Sequence, residues 1–232
     1  MKLLAAIGCL LCFPFVGIAG DMVVPISDSS PFGSPLWNSG VATVSEVVVG
    51  TGAVMHHTEE WTARNNSAKS IVAVVETLRV HYRNGRDAEE AFEHEGFFGP
   101  ELVKPGDKIQ FTSVPPTLDS KATVSQSSRP PACEVIVRWV QFADGSSFGD
   151  VTYAKDLLWS RRVIWKELKR LQDVFTAQGP AQFSLQLQQR TRTEADGYLE
   201  HLRNLQLSQG TQAAIDSLRM HLATAELLSG LL

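Results

Sequence analysis

The sequence predicts an α+β protein, in which an antiparallel Ig-like β-sandwich over residues 40–150 is followed by a C-terminal helical region of two to three helices over residues 151–232. Up to Asp150, short β-branched runs alternate with turn residues and no clear helical period separates them, which is typical of antiparallel sandwiches. After Asp150, apolar residues recur at spacings of three and four, as they do in amphipathic helices. The 44% hydrophobic and 20% charged content is that of an ordinary globular protein.

The N-terminal residues have the composition of an export signal. Lys2 precedes an uncharged apolar stretch, residues 3–19, in which Gly17 and Ala19 are small residues at the spacing of a signal-peptidase site. A retained anchor is the alternative, but an apolar stretch of this length is marginal for crossing a bilayer. We therefore interpret residues 1–20 as a cleaved signal peptide and expect the protein in the periplasm or outside the cell.

The β-rich part of the chain begins after a segment rich in proline, glycine and serine, residues 21–39, which we interpret as an extended N-terminal arm or linker. The run at residues 70–82 is apolar on both faces, so it is predicted to be a central strand. Further strands are predicted at residues 41–49, 54–65, 108–114, 122–127 and 133–142. Alternation in the last of these predicts one face with Cys133, Val135, Val137 and Trp139, and another with Ile136, Val140 and Phe142.

The helical region is predicted to open with one long amphipathic helix after Asp150, which ends at Gly179-Pro180. Its apolar side carries Leu157, Ile164, Leu168, Leu171 and Phe175. A second helix is predicted over residues 182–207 and a third over residues 211–228. We expect the long helix to pack on the third helix and on one edge of the sandwich. Arg161 falls within the apolar side, so it should either extend out to solvent or pair with a carboxylate.

The stretch "GSSFG", residues 145–149, fits the G-x-S-x-G motif of a hydrolase nucleophile elbow and makes Ser147 a candidate nucleophile. An elbow serine lies on a turn that enters a helix at once, whereas here the helical period starts only after Asp150. Asp144-Gly145 is a strong signal for a two-residue type I′ hairpin turn, and Asp150 is well placed to cap a helix. We therefore interpret the motif as a turn and keep the serine hydrolase as the alternative.

The stretches "VQFADGSSFGD" and "LLWSRRVIWKELKRL" resemble a segment of uncharacterised secreted bacterial proteins that have an Ig-like β-sandwich followed by a helical tail. "ARNNSAKSI" resembles the first hairpin of the same proteins. The resemblance covers residues 40–178. It implies the fold and an exported location, and it carries no activity and no catalytic residue with it.

One surface of the long helix is the candidate interaction site. Trp159, Arg162, Lys166 and Arg170 share its polar side and could meet an acidic partner or a membrane surface. The acidic stretch at residues 87–95 could attract the same basic residues within one chain or between two copies. A homo-oligomer or a protein partner is therefore favoured over a membrane surface. The net charge of −4 gives no indication of nucleic acid.

No catalytic, metal-binding or cofactor-binding residue is predicted. Adjacent His56 and His57 would point to opposite faces of a strand, which does not suit a shared metal ion. Cys133 is the one cysteine left after removal of the signal, so it cannot form an internal disulfide and is expected to be a buried apolar residue. The sequence thus favours an exported, non-enzymatic interaction or structural module, with a serine hydrolase and a membrane-surface-associated envelope protein as alternatives.

Overall fold

The computed structural model describes residues 16–49, 52–82, 85–95, 101–113, 118–120, 130–189 and 195–228. These residues form a β-rich part and a C-terminal group of three α-helices. The strands are β1 Val16–Asp28, β2 Leu36–Val49, β3 Gly52–Asn65, β4 Ile71–His81, β5 Asp87–Glu95, β6 Lys108–Ser113, β7 Leu118–Ser120, β8 Ala132–Phe142 and β9 Ser147–Gly149. A 3-10 helix at Val151–Ala154 leads into α1 Lys155–Gln188, and α2 Ala195–Gln209 and α3 Thr211–Leu228 follow.

The strands form one mixed sheet in the order β5-β4-β8-β1-β2-β3-β6, with β7 on β3 and β9 on β8, and the sheet curves into a half-barrel. The α+β class and the helical region are therefore as expected, but the antiparallel Ig-like sandwich is wrong. β1 and β8 pair in parallel, with Ile26 opposite Cys133. Period-two alternation shows only that one face of a strand is buried, and a curved sheet buries its inner face as a sandwich does.

β4 lies between β5 and β8 and is buried on both faces, which confirms the central strand that the sequence predicts. On the inner face, Val74, Leu78 and Val80 belong to the core of the half-barrel. On the outer face, Ala73 and Val75 contact the start of α1. Helices on one face and a curled sheet on the other thus exclude water from β4 as far as Leu78, whereas Arg79 and His81 are partly exposed.

The predicted faces of β8 are correct only as far as Val137. Its pairing with β4 shifts register at Arg138, because Val75 lies opposite Trp139 while Glu76 lies opposite Val137. This β-bulge reverses the alternation beyond it. Trp139 consequently contacts the helices on the outer face, whereas Val140 and Phe142 join Cys133, Val135 and Val137 in the inner core.

A hairpin and a helix cap connect the sheet to the helices. The Gly145 amide donates to the Phe142 carbonyl, and Gly145 has φ +83° while Asp144 has a negative φ. The hairpin is therefore a type I turn followed by a left-handed glycine, not the predicted type I′ turn, which needs two positive φ angles. Asp150 accepts a hydrogen bond from the Thr152 amide at 2.9 Å, which confirms its predicted role as the helix cap.

The first segment of α1 and the whole of α3 agree closely with the predicted helices. α1 breaks at Gly179, where φ is +80°, as the Gly179-Pro180 pair predicts. α3 has the predicted bounds. The predicted second helix is wrong as a single element, because residues 180–188 continue after the break as the second segment of α1 and α2 begins only at Ala195. Phe183 and Leu187 are buried four residues apart, which is helical spacing.

The three helices have a core of their own, separate from that of the half-barrel. Ile164, Leu168 and Leu171 of α1 pack there with Ile215 and Leu218 of α3. This contact confirms the predicted packing of the long helix on the third helix. The long helix also lies on the sheet, on its outer face rather than at an edge, because Leu157 and Leu158 contact Trp139.

Candidate functional site

Ser147 lies exposed on β9, an edge strand that pairs only with the end of β8. Its hydroxyl makes no hydrogen bond to a histidine or a carboxylate in the described part of the chain. Both glycines of the motif are needed for the backbone structure of the hairpin. Gly145 supplies the left-handed residue of the turn, and a Cβ on Gly149 would lie 2.2 Å from the Arg138 carbonyl oxygen. The arrangement is that of a hairpin edge.

The candidate surface on α1 is only partly free. Trp159 is 54% exposed, and Arg162 and Lys166 are exposed on the same side of the helix. Arg170 instead holds Glu167 at 2.6 Å and donates to Gln186 at 3.1 Å, so it connects the two segments of α1 across the break. The sequence analysis did not include Lys155, which is exposed one turn before Trp159. We call Lys155, Trp159, Arg162 and Lys166 the α1 surface.

The acidic stretch on β5 finds its basic partners elsewhere. Three of its outward carboxylates are bound by side chains of the sheet and by the buried side of α1: Asp87 by His81, Glu89 by Arg79 and Arg138, and Glu95 by Arg161. Arg161 is 1% exposed and pairs with a carboxylate instead of extending to solvent, which is one of the two outcomes that the sequence predicted. In the described residues Arg162, Lys166 and Arg170 form no ion pair with this stretch, so the attraction expected within one chain is not made by them.

The sequence analysis did not find a polar group inside the half-barrel, centred on Glu76 of β4. Glu76 is fully buried, and its carboxyl group accepts hydrogen bonds from Asn38 Nδ2 at 3.0 Å and from Trp61 Nε1 at 3.3 Å. Burial raises the pKa of Glu76 to about 7, against the opposing effect of these two hydrogen bonds, and the charge of Asp28 raises it further. Glu76 therefore changes charge near neutral pH.

Aromatic rings cover Glu76 on the side of β5 and β6. His94 Nε2 lies 4.0 Å from Glu76 Oε2, and burial lowers the pKa of His94 to about 4. The imidazole stacks on Phe111 with 3.8 Å between ring centroids, and Trp61 lies 5.3 Å from both Phe92 and Phe111. We call Trp61, Phe92, His94 and Phe111 the seam cluster, because they join the two strands at opposite ends of the sheet.

A second polar group lies on the same inner face. His57 Nδ1 is 2.5 Å from the Tyr82 hydroxyl, and His57 Nε2 is 3.1 Å from Glu59 Oε1. All three side chains are less than 5% exposed. The nearby Cys133 thiol has its pKa raised to about 12, first by burial and then by the charges of Glu59 and Glu134. These three buried side chains contact one another inside the half-barrel, so we interpret them as part of its packing.

A weak sequence signal for this interior exists in β3. Its inward residues, His57, Glu59 and Trp61, are as polar as the outward ones between them. A strand that is polar on both faces but lies within a β-domain has polar groups to satisfy inside. Glu76 is likewise the single acid in an apolar run, which marks it as a buried carboxyl rather than a surface one.

No group of three or more histidine, cysteine, aspartate or glutamate side chains in the described residues is arranged to hold a metal ion. Among the helices described here, none is both long and apolar enough to cross a membrane. The chain matches no protein-family model, and no curated protein or solved structure is similar to it at a significant level.

Proposed function

We propose that this protein is an exported, non-enzymatic interaction module and that its α1 surface binds an acidic segment of a protein partner. The observation that carries the proposal is Trp159, an indole 54% exposed in the midst of three exposed basic side chains. Tryptophan and arginine are the residues most enriched at the energetic centres of protein interfaces. Exposed basic groups around an aromatic side chain favour a partner that presents carboxylates.

The rest of the helix supports this function by holding the α1 surface rigid. On the opposite side, Leu157 and Leu158 pack on the sheet, and Leu168 and Leu171 lie in the helical core without exposure. Arg161, next to Arg162 in the chain, is held by Glu95 of β5. A surface that is ordered before binding loses less conformational entropy when a partner docks.

An experiment with a glutamate-rich peptide tests the proposal. Binding of a fluorescent poly-glutamate peptide of about 20 residues should weaken at least tenfold in an Arg162→Glu, Lys166→Glu variant, and should weaken with salt, because exposed charges are screened over about 10 Å at 0.1 M salt. Trp159→Ala should also weaken binding. Trp37→Ala is the matched control, since Trp37 is 55% exposed on the outer face of β2.

Two results would contradict this function. Equal affinity of the wild type and the charge-reversed variant for the peptide would show that the α1 surface is not the binding site. Binding to anionic vesicles but not to the peptide would replace the acidic protein by a membrane surface. Sedimentation at low and high salt, with the same variants, identifies a second copy of the chain as the partner if only the wild type self-associates.

A further inference from the structure

We propose that Glu76 and His94 form a proton-operated latch on the seam between β5 and β6, which stays closed while Glu76 is protonated and loosens when it ionises. β5 and β6 are the two ends of the strand order, and in the described residues no backbone pairing joins them. Their contact consists of side chains, with His94 of β5 stacked on Phe111 of β6. The closure of the half-barrel at this seam therefore depends on the seam cluster.

Protonated Glu76 suits this closed arrangement. A neutral carboxyl group costs little to bury, and it still accepts the hydrogen bonds of Asn38 and Trp61. Its proton gives it a donor, and burial favours the neutral imidazole of His94, in which the facing nitrogen Nε2 is an acceptor when the ring proton is assigned to Nδ1. His94 Nε2 has no hydrogen-bond partner among the described residues, and it lies 4.0 Å from Glu76 Oε2, so the two side chains must approach each other before Nε2 can accept this proton.

Ionised Glu76 does not suit the closed arrangement of the seam cluster. With the His94 proton on Nδ1, the carboxylate oxygen would face the Nε2 lone pair at 4.0 Å, and a proton on both ring nitrogens would instead place a charge on a largely buried ring. Either way a charge appears beneath the seam cluster. Trp61 and Asn38 are each no more than 2% exposed, whereas the His94 side chain is 21% exposed. Water therefore reaches Glu76 most directly past His94, by separation of the His94–Phe111 stack.

The other ionisable groups that face Glu76 do not remove this effect. On β1, Asp28 carries a negative charge that disfavours ionisation of Glu76. On β5, the inward Glu90 lies two residues before Phe92 and is half-buried, and burial raises its pKa as well. On β3, Glu59 is inward two residues before Trp61. The residues of β8 opposite Glu76 are apolar. All three acids add negative charge, so His94 is the group that must move or take a proton.

Hydrogen exchange of the full chain tests the latch. Protection factors, corrected for the intrinsic pH dependence of amide exchange, are compared at pH 5.5 and pH 8.5, on either side of the pKa of about 7. We expect protection in β5 and β6 to fall about threefold at the higher pH, because the opposite pKa shift of His94 offsets most of the loss from Glu76, while protection in β8 and α3 stays constant. Glu76→Gln, which mimics the neutral carboxyl group, should keep β5 and β6 protected at both pH values.

A matched control is Glu93→Gln, which removes an outward carboxylate of the same strand and should leave the wild-type response intact. Unchanged protection of β5 and β6 in the wild type would overturn the latch. So would an equal loss in every element, which is global destabilisation, or a loss of protection with rising pH that persists in Glu76→Gln. Should Glu76→Gln fail to fold, His94→Gln tests the latch together with the wild-type series. This variant lacks the ring that stacks on Phe111, so it should show low protection of β6 at both pH values.

Discussion

Arg161 of α1 and Glu95 of β5 lie 2.5 Å apart, from Nε to Oε1, and join the helical region to an end strand of the sheet. Arg161 is 1% exposed and also donates through Nη1 to Gln141 of β8. Gln141 in turn donates to the Leu228 carbonyl at the end of α3. One buried guanidinium thus connects two strands and, through Gln141, two helices.

Removal of the Glu95 carboxylate should lower the stability of the protein. Glu95→Ala removes the carboxylate that pairs with the buried Arg161 charge, and we expect a loss of about 3 kcal/mol in the free energy of unfolding, at the lower end for a broken buried pair because Glu95 is 29% exposed. The double variant Glu95→Ala, Arg161→Met should recover much of this loss, since an apolar side chain suits the site. Urea denaturation of the four proteins gives the coupling energy. Additive losses would show that the two residues act independently.

Alanine substitutions at two glycines test close packing, and we expect them to change the free energy of unfolding in opposite directions. A Cβ on Gly40 would lie 2.2 Å from the Glu60 carbonyl oxygen and 2.6 Å from Trp61 Cα. Gly40→Ala must therefore push β2 away from β3 beside Trp61, and should cost about 2 kcal/mol or more.

Gly197 is the counterpart on α2, since no heavy atom lies within 4 Å of a Cβ placed there. Gly197→Ala should raise the free energy of unfolding by about 0.5–1 kcal/mol, because alanine loses less backbone entropy in a helix than glycine does. Thermal unfolding of both variants measures the difference. A neutral Gly40→Ala would show that β2 and β3 separate freely at this point.

The serine motif gives a direct test of the non-enzymatic function. Ser147 is exposed on an edge strand and has no hydrogen-bonded base in the described residues, so it should not react with a fluorophosphonate probe. Wild type and Ser147→Ala should therefore label equally weakly. Strong labelling that Ser147→Ala abolishes would replace the interaction module by a serine hydrolase.

The features of the fold that the sequence predicted correctly are those that depend on residues close together in the chain. Asp150 caps its helix through a hydrogen bond two residues away, and Gly179-Pro180 breaks α1 by its own backbone angles. The bounds of α3 follow from its spacing of apolar residues. Each of these features depends on neighbours within one or two turns of the chain, which the sequence shows directly.

The parts that depend on distant pairing could not be predicted. The parallel contact of Ile26 with Cys133 joins residues far apart in the chain, and it makes the sheet mixed. The bulge at Arg138 reverses the faces of β8 without any glycine or proline to mark it. The site around Glu76 depends on both, because it needs β2, β3 and β5 to meet in one curved sheet.

Cys133 should be inert in the native protein. The thiolate is the reactive form of cysteine, and burial beside Glu59 raises the pKa of this thiol to about 12. At pH 8 we expect no reaction with a disulfide reagent in the folded protein and complete reaction in urea. Glu59→Gln should leave the thiol unreactive, since burial is the main cause. Rapid labelling of the native protein would show that the inner core opens near β8.

The stability of the protein should depend on pH through two opposing groups. Glu76 has a folded pKa raised from 4.5 to about 7, so its contribution is present below pH 4.5 and is lost as the pH rises through 7. His94 has a folded pKa lowered from 6.5 to about 4, so its contribution is present above pH 6.5 and is lost as the pH falls through 4. Each shift corresponds to about 3 kcal/mol.

Between pH 4.5 and pH 6.5 the two dependences should nearly cancel in the wild type, and single substitutions should reveal them. Relative to the wild type, His94→Gln should lose stability as the pH rises across this window, because only Glu76 remains to release its proton. Glu76→Gln should gain stability over the same window, because only His94 remains to be neutralised. Urea denaturation at four pH values measures both slopes. Equal slopes in the two variants would contradict the opposite directions of the two pKa shifts.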